Sequence, residues 1–346
     1  MASGAQPLRA QGAPRVIVAG ATGFAGALAA HLLWRHPGFE LVAVSGRSNV
    51  GRRLDDLYPR YRVPLAIEEL DLGRLRDVDA AVVAYPHAAA APTVAALRER
   101  DARVVDLSAD FRLASLATYE RWYGAHPRPD MLAHAVYGLT ELHREAIARA
   151  GLVANPGCYP TASLLALAPL ARAGLLADVV IDAKQGISGA GRVFDETTHL
   201  SMAGENIVPY KVAAHRHGPE IEEQLGVLDP AHPQIKVQFQ AHLVPLDQGE
   251  MASCYVTPSR PVAAEEVREL FADAYAGEPF VEVLDVPPGV REVRETNYCR
   301  IHAAYDEHTG KVLVFSAIDN LWKGTSSQAV QNLNVMFGLD ETEGLS

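Results

Sequence analysis

The run Gly20-Ala21-Thr22-Gly23-Phe24-Ala25-Gly26 constrains the fold more than any other stretch of the chain. It follows the apolar segment Arg15-Val16-Ile17-Val18-Ala19. It precedes a segment in which Ala25, Leu28, Ala29 and Leu32 recur at helical spacing. A buried strand therefore turns sharply into a helix, expected from about Phe24 to Arg35 and stopped by His36-Pro37-Gly38. Glycines at such a turn let a pyrophosphate approach the backbone, and the helix N-terminus offers N–H groups and a positive dipole end. The GxxGxxG spacing is a variant of the usual fingerprint, and a plain structural turn is the bland alternative. The strand–turn–helix context favours a dinucleotide site built from Gly20, Ala21, Thr22, Gly23, Phe24, Ala25 and Gly26.

The same alternation continues. Glu40–Ser45, Ala80–Tyr85 and Arg103–Leu107 read as further strands, and Ala88–Arg100 as a helix. The strands are continuously apolar, as expected of a parallel, doubly wound sheet covered on both faces. Beyond Pro160–Arg172, expected helical with Gly174 just past its end, the texture changes. Val179–Ala183, Ile235–Gln240, Met251–Thr257 and Val312–Ile318 read as strands, interrupted by helices at His217–Leu225 and Ala263–Tyr275. This pattern predicts a second, α+β domain with a mostly antiparallel sheet. Lys323–Phe337 reads as a closing helix whose apolar stripe is core packing.

At the end of the second strand an NAD enzyme would carry an acid for the ribose 2′-hydroxyl. Here the chain reads Ser45-Gly46-Arg47-Ser48, so Arg47 with Ser45 and Ser48 is expected to favour a 2′-phosphate, and hence NADP(H). The net charge of −11 argues against a general nucleic-acid surface, so an anionic ligand needs local Arg, Lys and backbone N–H groups. No apolar run reaches ~18 residues, the length of a membrane span. The first 14 residues lack an apolar core and read as a frayed tail, not a signal peptide.

Three cysteines without CxxC spacing support neither a disulfide framework nor a zinc site, and suit a reducing cytoplasm. Cys158 lies in Asn155-Pro156-Gly157-Cys158-Tyr159-Pro160-Thr161, where the chain is expected to enter a helix. N–H groups at a helix start favour a thiolate and can hold an oxyanion, and the flanking prolines stiffen the backbone. The alternative is a small buried hydrophobe, the reading given to Cys254 and Cys299. A nucleophilic thiol needs an acid/base partner. His215 and His217 in Ala213-Ala214-His215-Arg216-His217-Gly218 are the candidates, against a pair of surface histidines; His199 and His87 stand further back.

Taken with Asp106-Leu107-Ser108-Ala109-Asp110-Phe111-Arg112, Ser188-Gly189-Ala190-Gly191-Arg192, Pro209-Tyr210-Lys211-Val212 and Ala317-Ile318-Asp319-Asn320-Leu321-Trp322-Lys323-Gly324, these motifs make a chain that resembles the N-acetyl-γ-glutamyl-phosphate reductases of arginine biosynthesis. The resemblance runs from about Val16 to Phe337. It implies an α/β, semialdehyde-dehydrogenase-like fold: a Rossmann domain over 15–157 and 322–346, and an inserted catalytic and dimerisation domain over 158–321. It implies NADP(H) as cofactor, a homodimer or homotetramer, and Cys158 attacking the acyl phosphate to form a thioester that accepts hydride. A histidine, by position His217, is the implied acid/base. Arg112 is the expected phosphate ligand, with Lys211 and Arg216 as alternatives. Pro86 joins the implied cofactor site. Ser188, Gly189, Ala190 and Gly191 are expected to form a flexible loop near the nicotinamide or substrate, against a plain turn, and Asn320 to hold the nicotinamide carboxamide, against capping a loop. Asp182 and Lys184 are expected to form a structural ion pair.

The chain departs from the family at Tyr85-Pro86-His87-Ala88, where Leu-Pro-His-Gly is usual, at Ala213-Ala214, where glycines are common, and at Gln185, where a small serine is typical. An aminoadipyl-phosphate reductase acting on a carrier-bound substrate, an aspartyl-phosphate reductase and a non-catalytic NADP-binding regulator are the competing readings.

Overall fold

The structure, a computed structural model, describes residues 12–73, 77–193 and 196–345. The expected tail of residues 1–14 lies, up to residue 11, outside them. The chain forms two compact units, one of 1–156 with 325–346 and one of 157–324.

In the first unit, β1 (Arg15–Ala19), β2 (Glu40–Ser45), β3 (Ile67–Glu68), β4 (Ala80–Val83), β5 (Arg103–Asp106), β6 (Ala135–Tyr137) and β7 (Leu152–Ala154) form one sheet. Their order is β3-β2-β1-β4-β5-β7-β6, and every pairing is parallel. β4 and β7 are buried along their whole length, which is why they read as unbroken apolar runs. The helices are α1 (Phe24–Arg35), the short α2 (Leu54–Leu57), α3 (Ala91–Arg98), α4 (Leu116–Tyr123) and α5 (Thr140–Arg149).

In the second unit, α6 (Cys158–Arg172) leads into β8 (Leu176–Gly186), α7 (Leu200–Ala203), β9 (Val208–Tyr210), α8 (His217–Leu228), β10 (Val237–Val244) and β11 (Glu250–Pro258). Then come α9 (Ala264–Ala274), β12 (Val281–Val283), β13 (Cys299–Asp306) and β14 (Lys311–Ile318). The sheet order is β12-β13-β14-β11-β8-β10-β9. It is mixed: β8 pairs parallel with β10 and β12 with β13, and the remaining neighbours are antiparallel. α6 is apolar nearly all round and almost wholly buried, packed on β11, β14 and α8.

A π turn, Trp322–Ser326, precedes α10 (Ser327–Phe337), so the closing helix begins later than its apolar spacing suggests. α10 belongs to the first unit through buried polar side chains. Asn332 accepts from the Thr140 hydroxyl at 2.9 Å and donates to the Gly138 carbonyl at 2.8 Å and to Asn155 Oδ1 at 3.1 Å. Each satisfied bond is worth about 1 kcal/mol net, and an orphaned buried partner costs about 1–3 kcal/mol. These bonds hold Asn155, three residues before Cys158, at a set position in the first unit.

Candidate active site

The glycine turn forms as its sequence predicts. Gly20 takes φ +97°, and a Cβ there would lie 2.6 Å from the Ala84 carbonyl oxygen. A Cβ on Gly26 would be driven into the Gly20 carbonyl, so α1 can pack this close to β1 only with glycine. A Cβ on Gly23 would meet nothing nearer than 4.0 Å, which leaves the mouth of the turn open. Gly23 caps α1 without a side-chain hydrogen bond, so the first-turn N–H groups face a cradle suited to a diphosphate. The residues fit the dinucleotide that the turn implies.

Around this turn, Tyr58 donates to the Thr22 carbonyl at 3.0 Å, and Thr22 Oγ1 accepts from the Ser48 hydroxyl at 3.5 Å. Arg47 is exposed and lies over the Tyr85 ring at 5.0 Å. Ser45 corrects the sequence reading. Its side chain is buried 3.4 Å from the Tyr85 hydroxyl, while its carbonyl accepts from Gly20 and Ala21; it shapes the turn instead of facing a phosphate. Pro86 is exposed just beyond β4. A cleft of 600 Å³ opens beside β2 and β3, lined in part by Ser45, Gly51, Ile67 and Glu68.

Two further residues turn out to be braces. Arg112 donates through Nε to the Asn155 carbonyl and through Nη2 to the Leu107 carbonyl, both at 2.8 Å. Its planar fork thus ties the Asp106–Arg112 motif to the strand end that leads to Cys158, and two of the donors expected to grip a phosphate are committed to backbone. Asn320 is almost fully buried; Oδ1 accepts from the Gly249 N–H at 2.8 Å and Nδ2 donates to Ser188 Oγ at 3.0 Å. Both ends of its amide are thus engaged inside the second unit, which is the loop-capping role, with one N–H and one lone pair beyond these two bonds. The stretch Ile187–Ala190 is a 3₁₀ turn in which the Ser188 hydroxyl donates to the Asp247 carbonyl at 2.6 Å.

Cys158 is the first residue of α6, two positions nearer the helix start than sequence spacing implies. Gly157 serves as N-cap, and its N–H donates to Glu220 Oε1 at 2.9 Å. Glu220 sits in the first turn of α8 and is buried, so one carboxylate ties the helix bearing Cys158 to the helix bearing His217. Pro160 falls in the first turn of α6, where a missing N–H costs nothing. The thiol is partly exposed, whereas Cys254 and Cys299 are buried; burial pushes the Cys254 thiol up to about 12. Gln185 Nε2 donates to Cys158 Sγ at 3.5 Å.

The two histidines cluster on Tyr159. Its ring meets His215 at 5.6 Å and His217 at 5.8 Å, and the imidazoles lie 4.8 Å apart. His215 Nδ1 accepts from the His217 backbone N–H at 3.2 Å. Burial, then the charges of Lys211 and Arg216, push His215 down to about 4. It is therefore neutral at pH 7 and braces the start of α8. Lys211 is held below its ordinary value by burial and by Arg216. His199 is exposed and shares a 2.7 Å hydrogen bond with Ser201, and His87 stacks edge-on against Tyr123 in the first unit. Asp182 and Lys184 form an ion pair at 2.5 Å.

Sequence reasoning missed Glu250 and Glu220. Glu250 opens β11 and is fully buried, opposite Gln185 in the ladder with β8. Its signal was present: it shares strand parity with Ala252, Cys254 and Val256, all buried, so an acid stood on an apolar face. Glu220 offered only its place in a helical first turn.

The family model described as "Semialdehyde dehydrogenase, NAD binding domain" matches residues 15–150, and "Semialdehyde dehydrogenase, dimerisation domain" matches 158–320. The chain is 49% identical over 341 residues to an N-acetyl-gamma-glutamyl-phosphate reductase of Desulforudis audaxviator, covering 96% of this chain and 97% of that one. It is 46% identical over 338 residues to one of Moorella thermoacetica, covering 95% and 96%. Among solved structures it is similar to aspartate semialdehyde dehydrogenase II of Vibrio cholerae, with a TM-score of 0.72 at 18% identity over 95% of this chain and 99% of that one. The aspartate semialdehyde dehydrogenase of Candida albicans with NADP gives 0.67 at 16% identity, over 94% and 98%. At such identities the structures speak for the fold alone.

Proposed function

The chain belongs to the semialdehyde dehydrogenase family, among the N-acetyl-gamma-glutamyl-phosphate reductases, and from that premise we propose that it reduces N-acetyl-γ-glutamyl phosphate to N-acetylglutamate 5-semialdehyde and phosphate. The observation that carries the chemistry is Cys158 as first residue of a buried helix, partly exposed and approached by an amide donor. The positive end of α6 favours sulfur as thiolate, and its first-turn N–H groups can take up negative charge on the acyl oxygen.

Cys158 Sγ attacks the acyl carbon, the C–S bond forms, and phosphate leaves. When bound, NADPH supplies the hydride that reduces the thioester to the aldehyde level. Collapse of the thiohemiacetal then frees the aldehyde and restores the sulfur. His217 manages the proton on the substrate oxygens, and neutral His215 holds it in place. Lys211 and Arg216 supply positive charge for the phosphate. On the cofactor side Gly20, Gly23 and Gly26 admit the diphosphate, and Arg47 with Ser48 favours the 2′-phosphate. The segment 158–320 carries the match to a dimerisation domain, which supports a homo-oligomer.

The test is the reverse reaction. With N-acetylglutamate semialdehyde, NADP⁺ and phosphate, absorbance of NADPH should rise only when phosphate is present. A phosphate-dependent signal with aspartate semialdehyde or the aminoadipate analogue, and none with this substrate, rejects the assignment.

A further inference from the structure

Glu250 holds a carboxyl that the route above leaves unused. It is 0% exposed, and neither oxygen meets a partner at hydrogen-bond geometry. A buried carboxylate short of donors is costly, so such a group keeps its proton or takes one from a neighbour. The neighbour is Cys158: Gln185, which lies opposite Glu250 on the same face of the sheet, reaches its sulfur, and the thiol favours the charged carboxylate. The sulfur is thus flanked by an amide donor and a carboxyl acceptor, both fixed by strand register.

We propose that Glu250 is the proton partner of Cys158, a catalytic residue that takes the thiol proton as sulfur attacks and returns it when the aldehyde leaves. The inference rests on Cys158 being the nucleophile of an acyl-phosphate reduction. In the first half, the Glu250 carboxylate removes the thiol proton, the S–C bond forms, and the C–O bond to phosphate breaks with its electron pair going to phosphate. In the second half, hydride from NADPH gives the thiohemiacetal, its C–S bond breaks with the pair returning to sulfur, and the Glu250 acid hands its proton back. One proton moves out and back, and NADPH is the sole reductant. His217 is left to serve the oxygens.

The groups that act on this pair come from several elements. Asp319, just beyond β14, adds a like charge to burial, and together they push Glu250 up to about 8. Tyr159 of α6 and Tyr210 of β9 also feel its charge; burial holds both hydroxyls above their ordinary range, so they stay neutral. Gln185 of β8 carries no charge. A carboxyl and a thiol held side by side titrate as a pair, because losing both protons would set two anions against each other.

Alkylation of the cofactor-free full chain by iodoacetamide reads this directly, because Cys254 and Cys299 are buried. Rate against pH should rise in two steps, the first near 8, where Glu250 titrates, and the second at higher pH. Glu250→Gln should collapse it to one step near the ordinary thiol value of about 8.5. That variant should lose on the order of 100-fold in kcat/KM while its Kd for NADPH stays put. A single wild-type step at the ordinary thiol value overturns the proposal, and the wild-type curve decides it even should the variant not fold. A Glu250→Gln curve that superimposes on a two-step wild-type curve also overturns it. A two-step wild-type curve in an enzyme without phosphate-dependent turnover rejects the assigned reaction and sustains the Cys158–Glu250 pair.

Discussion

The glycine turn of the first unit and the surroundings of Cys158 in the second are built from different materials. The turn works through backbone: Gly20 and Gly26 matter for the side chains they lack, and both lie within seven consecutive residues. The surroundings of Cys158 are side chains brought together by a helix start, a strand pairing and a second helix start: Gln185 at the sulfur, Glu250 opposite it in the ladder, and His215 and His217 against the adjoining Tyr159. A site made of backbone tolerates almost no change locally. A site made of side chains can lose its chemistry while the fold stays whole.

That contrast can be broken experimentally. Cys158→Ser should cost about 10³-fold or more in turnover with NADPH affinity and thermal stability nearly unchanged, as measured by steady-state rates, fluorescence titration and melting. A parallel loss of NADPH affinity would show that the two regions are not separable in this way.

Acid should weaken the second unit through His215. Its folded value of about 4 lies below the ordinary 6.5, so its contribution is complete above pH 6.5 and is lost as pH falls toward 4. The difference in unfolding free energy between wild type and His215→Asn should change by about 3 kcal/mol across that window. The subtraction matters because Asp106, pushed up to about 7 mainly by burial, and Glu250 act in the opposite sense. Their contributions are present at low pH and lost as pH rises through 7 and 8. A difference that stays flat from pH 7 to 4 would contradict a buried, neutral His215.

Gly26→Ala should do the reverse of Cys158→Ser. It should weaken NADPH binding at least about 10-fold and lower stability by about 2 kcal/mol, because the clash is with backbone. Chemistry at saturating cofactor should change less than binding. The smallest effect compares the units directly. Ala88 in the first and Ala213 in the second both hold positive φ, 63° and 53°. A Cβ is strained in that region, so Ala88→Gly and Ala213→Gly should each raise stability by about 0.5–1 kcal/mol in denaturant melts.

What was legible follows the same division. The strand–turn–helix was readable because its determinants are local. So was the identity of Cys158, though not its place as the first helical residue, since Pro160 reads as the helix start while the cap is Gly157. β13 escaped because buried Cys299 and Ile301 alternate with Arg300 and His302 over too short a span to stand out. Arg112 and Asn320 read as ligands on chemical type. The fold uses them for backbone carbonyls and N–H groups that no spacing reveals. Glu250 was visible only as a parity violation in β11, and its meeting with Cys158 depends on strand register.

In the proposed route acyl transfer to Cys158 precedes reduction. Enzyme mixed with N-acetyl-γ-glutamyl phosphate without NADPH, quenched in acid and digested, should yield the peptide containing Cys158 carrying an N-acetylglutamyl thioester. The adduct should vanish when NADPH is added before the quench. An unmodified Cys158 peptide from an enzyme that turns over under the same conditions would contradict it.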